Sequence, residues 1–171
     1  MKSLFLSFLF AGFWASAAIA MPPFPSEFIF EYHWQAGSMP SPYHYEYSVE
    51  INAKGEGTIH FSPDYPGVGS PHWTRYFTLP REELNTLYQD LDRSGAFSGK
   101  WKSADNHIVG GSLEWMSATV DGEVSSIPST RTADSDHRAS AIFKQIRSVI
   151  PPLIMNELMK LREKYEQDYE K

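Results

Sequence analysis

The chain contains no cysteine among its 171 residues. That absence excludes disulfide stapling, thiol catalysis, thiolate metal sites and a lipid anchor on a cysteine. Any stable fold must rest on packing alone. Basic residues are also few: 15 Lys and Arg stand against 21 Asp and Glu, a net charge of −6. Phosphate binding needs clustered cations, so nucleic acid and anionic lipid surfaces are poor partners. There is no internal repeat and no long low-complexity linker. Beyond residue 20 no segment offers the roughly 20 apolar residues of a membrane-spanning helix. Nucleotide fingerprints are missing too; Gly67-Val68-Gly69 lies in a Pro-rich loop with no helix after it. No HExxH zinc motif occurs, and no cofactor is implied.

What is present begins with an export signal. Lys2 gives a short positive start, and Leu4 to Ala15 is almost wholly apolar. Ala18-Ile19-Ala20 then supplies the small-x-small pattern that a signal peptidase accepts. Cleavage is expected after Ala20, with Ala18 the alternative. Residues 21–171 would then form one domain without a stable membrane anchor, in the periplasm or outside the cell.

Aromatic residues make up 15% of the chain, and many fall in strand-like segments, where core packing is their simplest use. Glu27 to Trp34 reads as a first strand. A loop rich in Gly and Pro follows, from Gln35 to Pro42. Tyr43 to Ala53 alternates, with Tyr43, Tyr45, Tyr47, Val49 and Ile51 on one face. His44, Glu46, Ser48, Glu50 and Asn52 occupy the other. After a turn at 54–57, Thr58 to Ser62 returns. An antiparallel register placing Ile51 opposite Ile59 would also set Glu50 opposite His60. His72 to Leu79 reads as another strand.

Pro80 opens a helix whose Leu84, Leu87, Tyr88 and Leu91 form an apolar stripe, and Gly95 ends it. Phe97 is expected to tuck beneath it. Asp121-Gly122 marks a hairpin between strands at 113–120 and 123–127. A helix follows from about Asp136 to Val149; Pro151-Pro152 breaks it, and a last helix ends in a charged tail, 162–171, expected to fray. The order β-β-β-β-α-β-β-α-α predicts an α+β domain. Its antiparallel sheet would have five or six strands, with helices on one face and a C-terminal helix pair.

A Tyr-rich strand leading to a Gly turn (Tyr45 to Gly57), the segment Phe77-Thr78-Leu79-Pro80-Arg81-Glu82-Glu83-Leu84 and the Gly95-Ala96-Phe97 ending together resemble exported bacterial domains of unknown function. The resemblance covers most of residues 43–150. It implies an architecture and brings no catalytic residues.

Several constellations carry possible chemistry. His44, Glu46, Glu50 and His60 fall on one predicted strand face and are candidate metal ligands, since zinc takes three or four N/O donors. A solvated His–Glu pair is the plainer reading. His107 beside Gly110-Gly111-Ser112 offers a base and a hydroxyl, but lacks the Gly-x-Ser-x-Gly turn of a nucleophile elbow. The Gly pair is more simply a backbone device. Loops and strand ends carry Trp34, Met39, Tyr43, Tyr65, Trp73, Trp101 and Trp115. Of these, Trp34, Tyr43, Tyr65, Trp73 and Trp101 are candidate contacts for an envelope protein, peptide or glycan. The last helix would dock on its own sheet.

Three functional classes follow from this: a non-enzymatic binding or accessory domain of the cell envelope, a hydrolase with a site near His44, His60, His72 or His107, and a structural component. Convergent polar side chains including a His would favour catalysis. An exposed aromatic patch would favour binding.

Overall fold

The computed structural model describes residues 24–67, 69–98, 101, 111–129, 138–169 and 171. The expected signal segment, His107, Gly110 and His137 lie outside these residues. The described residues form β1 (Phe28–Gln35), β2 (Glu46–Asn52), β3 (Glu56–Ser62), β4 (Trp73–Thr78), α1 (Arg81–Arg93), β5 (Leu113–Val120), β6 (Glu123–Ile127), α2 (Arg138–Ser148) and α3 (Pro152–Tyr169). The fold is α+β. Its six strands make one open sheet in the order β4-β3-β2-β1-β5-β6, with every neighbouring pair antiparallel.

Alternation along each strand separates two faces. Phe28, Phe30 and Tyr32 of β1 are buried, as are Tyr47, Val49 and Ile51 of β2, Ile59 and Phe61 of β3, and Met116 and Ala118 of β5. We call this the inner face. Phe28 meets Tyr88 of α1 on it with ring centroids 5.6 Å apart, and Tyr32 meets Phe143 of α2 at 5.7 Å. Leu84, Leu87 and Leu91 of α1, Ile142, Phe143 and Ile146 of α2, and Leu158 of α3 are buried in the same core cluster. On the opposite face Ile29, Tyr76 and Val124 are exposed, and Ser62 is the only buried strand residue among the described ones.

From β1 to β4, one cross-strand row of the inner face is aromatic. Trp34, Tyr47, Phe61 and Trp73 are directly paired on β1, β2, β3 and β4. Their rings stack in sequence at 5.5, 6.2 and 5.8 Å with small interplanar angles. Such pairs add to the area term of about 25 cal/mol per Å². A further ring, Tyr45, lies against Trp34 and Phe61, and the Arg162 guanidinium sits 4.3 Å over it.

The hairpin register differs from the expectation by two residues. Val49 faces Ile59, Ile51 faces Gly57, and Ser48 faces His60. The Asn52 side-chain oxygen accepts from the Lys54 and Glu56 amides, which closes a turn over Ala53, Lys54 and Gly55. Gly55 takes the left-handed conformation that this turn needs, with φ of +81°. Gly57 then sits under the Phe77 ring, where a Cβ would overlap ring carbons. Because the side-chain period is two, a two-residue shift leaves every face unchanged. It changes only which side chains are neighbours.

One further expectation is corrected. β2 begins at Glu46, so alternation does not reach back to Tyr43, and His44 is buried rather than on the outer face. α3 runs to Tyr169, and the Tyr165 hydroxyl donates to Asp64 at 3.1 Å. Elsewhere local signals match the elements. The Gly95 and Ala96 amides return to the Asp92 and Leu91 carbonyls, ending α1. Phe97 stacks on Tyr88 at 5.4 Å.

Candidate functional site

The outer sheet face carries a shallow groove of about 240 Å³. Its origin is a second cross-strand row, one residue along from the aromatic row. Trp115 of β5, His33 of β1, Ser48 of β2, His60 of β3 and Thr74 of β4 are successive direct partners. Ser48 is the shortest side chain of the row and stands between two imidazoles. The hollow lies above it. Glu46 and Ser62, directly opposite each other in the adjoining row, close one end.

Each imidazole is held. His33 stacks on Trp115 with centroids 4.8 Å apart and planes 5° from parallel, and its Nε2 lies 3.0 Å from the Glu31 carboxylate. His60 Nδ1 is 3.1 Å from the Thr74 hydroxyl. Ser62 Oγ lies 2.8 Å from His72 Nδ1. The groove therefore offers an aromatic edge, two imidazoles, a carboxylate and two hydroxyls, all mounted on paired strands. These groups can hydrogen-bond and stack against a polar ligand.

The four candidate metal ligands are not brought together. His44 stacks on Tyr65 at 3.8 Å and 7°. Its Nε2 is 3.6 Å from Glu46, beyond hydrogen-bond reach, and neither ring nitrogen has a hydrogen-bond partner among the described residues. His60 faces Ser48, and Glu50 faces Thr58. Among the described residues no three His, Asp or Glu are placed to hold a metal ion.

The five candidate aromatic contacts are not gathered on one exposed patch either. Trp34 and Trp73 belong to the inner aromatic row. The Tyr65 hydroxyl donates to the Met39 carbonyl at 2.7 Å while its ring covers His44. Trp101 lies beneath the Arg138 guanidinium. Tyr43 is exposed. The loops that carry Tyr43 and Tyr65 do adjoin: Asp64, fully buried, accepts from the Ser41 hydroxyl and the Tyr65 amide, each at 2.8 Å.

A third polar cluster lies on the inner face. The Tyr32 hydroxyl donates to Glu114 at 2.6 Å, and Arg147 of α2 pairs with the same carboxylate and bonds the Tyr32 oxygen. Burial drives the Tyr32 hydroxyl far above its ordinary pKa, assisted by the Tyr47 and Glu114 charges. Burial likewise pushes Tyr47 up to about 12. Both phenols stay neutral at physiological pH, so the cluster ties α2 to the sheet.

Sequence reasoning missed His33 and Ser48 as site residues. Alternation put Ser48 outward, but only the pairing of β1 with both β2 and β5 sets His33 and Trp115 beside it. The fold and groove define an α+β domain with an open sheet face. No family model matches the chain, and no curated protein matches it.

Proposed function

We propose that the chain is an exported, non-enzymatic binding domain of the cell envelope. On this view the signal segment delivers it, and the outer sheet face, centred on Ser48, holds a peptide or glycan. The three helices would lie together over the inner face, with α2 and α3 as a pair joined at Pro151-Pro152, leaving the outer face free. The supporting observation is the groove itself: side chains of mixed donor and acceptor character, with a Trp edge, fixed on four adjacent strands. Rigid placement lowers the ordering cost of binding.

The test is an amide-shift titration of the isotopically labelled chain with short peptides and neutral or acidic oligosaccharides. A ligand should move the resonances of His33, Ser48, His60 and Trp115. Ser48→Trp, which fills the hollow without touching the core, should abolish binding while leaving the fold intact. Shifts confined to other surfaces would refute the proposal.

The Ser62–His72 contact favours a second reading, since a hydroxyl within bonding reach of an imidazole is the geometry of nucleophile activation. Among the described residues no carboxylate orients His72. Labelling with a fluorophosphonate separates the two: a hydrolase would lose a label on Ser62→Ala, and a binding domain would take none.

A further inference from the structure

A second hollow, of about 700 Å³, lies away from the outer face, between α1 and the junction of α2 with α3. Its floor includes Leu79 and Leu87, and Val149, Ile150 and Pro151 form one wall. The facing wall is α1, which presents Glu82, Glu83 and Asp90. No Lys, Arg or His lines it.

The arginines nearby already have partners. Arg81 donates to the Ala53 carbonyl at 2.9 Å and lies over the Phe24 ring. Arg147 is held by Glu114. Arg93 pairs with Asp90 at 2.9 Å, so Asp90 is already compensated. Glu82 and Glu83 have no ion pair among the described residues. Gln145, on the α2 side, has a buried Oε1 with no hydrogen-bond partner among them. The charged and unpaired polar groups of this groove are thus acceptors, set around an apolar floor.

We propose that this groove docks a basic amphipathic segment of another protein, with apolar side chains on Leu79, Leu87 and Ile150 and Lys or Arg beside Glu82 and Glu83. The argument is charge complementarity. A cation entering here meets two carboxylates without an ion-pair partner among the described residues, and an acidic segment meets repulsion. A groove flanked by a helix suits a partner helix with anchors at i, i+3 and i+4. This docking is independent of the outer groove.

The experiment uses the full chain and three labelled 18-residue helical peptides with Lys/Leu, Glu/Leu or Lys/Ser faces, read by fluorescence anisotropy and amide shifts. The Lys/Leu peptide should bind and perturb Leu79, Leu87, Val149 and Ile150. Glu82→Gln/Glu83→Gln should weaken it about tenfold, the sum expected for two rim charge contacts. Thr86→Trp, which fills the groove from an exposed position, should remove it. The charge-matched control Glu123→Gln/Glu163→Gln should change affinity less than about twofold. Equal weakening by the control would show that only net charge is sensed, and would overturn the proposal. So would equal binding of the Glu/Leu or Lys/Ser peptide, or shifts mapping to the outer face. Self-association of the chain that the peptide disrupts would replace the proposed partner with a second copy.

Discussion

The two faces of the sheet are built from the same six strands and differ in what the alternate residues do. On the inner face a row of four rings runs from Trp34 to Trp73, and each ring is fixed by its neighbours. One residue further along, the outer row from Trp115 to Thr74 is polar, and its shortest member leaves a hollow. Shape on the inner face is dictated by the need to fill space, since interiors are close-packed. Shape on the outer face is not constrained in this way, so a gap can persist there without a cavity penalty. The packed interior thus holds the outer side chains in register without filling the hollow between them.

The sharpest test of this contrast is truncation on each side. Phe30→Ala, at a fully buried inner position, should cost about 3–5 kcal/mol in denaturant unfolding. His33→Ala or His60→Ala, on the outer row, should change stability by no more than about 0.5 kcal/mol. Comparable losses would mean that the outer row is structural. Next in size is the inner polar cluster. Glu114→Ala leaves the Arg147 guanidinium and Tyr32 hydroxyl without their shared acceptor and should cost about 2–3 kcal/mol, while Tyr32→Phe should cost about 1 kcal/mol. The cluster is also pH-sensitive. The folded pKa values of Tyr32 and Tyr47 are raised above the ordinary 10.0. Their contribution is therefore complete below pH 10 and declines as pH rises through about 12, because the unfolded phenols ionise first. Unfolding curves between pH 8 and 12 should show that decline, and Tyr47→Phe should lessen its slope while the Tyr32 share remains. The smallest effect belongs to the exposed Arg75–Glu157 pair at 2.6 Å. Arg75→Ala should lower Tm only slightly, and the difference should vanish near about 1 M NaCl, where charges are screened beyond about 3 Å.

Local features were legible. The stripe of Leu84, Leu87 and Leu91 identifies α1 and its buried side, and period two sorts residues 46–52 into Tyr47, Val49 and Ile51 inside and Glu46, Ser48 and Glu50 outside. Period two also explains Trp34, which shares its parity with Phe30 and Tyr32 and so points inward. Its ring is only partly buried, and it also lines the outer groove. His44 shows the limit of periodicity: two residues before β2 begins, alternation no longer governs where a side chain points. The hairpin register was also beyond periodicity, since shifts of two residues are equivalent by pattern. The Asn52 cap and the space that Phe77 needs at Gly57 decide between them.

The candidate site was less legible than the fold. Ser48 lies between His33 and His60 only because β2 is flanked by β1 and β3, and Trp115 joins the row only because β1 pairs with β5 across more than 80 residues of chain. What the sequence by itself determined is local and compositional: the absence of cysteine, the acidic balance, the turns, the helix stripe and the two-faced strands. Each depends on residues close in the chain and on the fixed periods of helix and strand. Only the tertiary structure decided the strand order, the aromatic row and the two grooves. Those depend on distant segments meeting, which is set by how side chains fill a shared interior and not by any repeat along the chain.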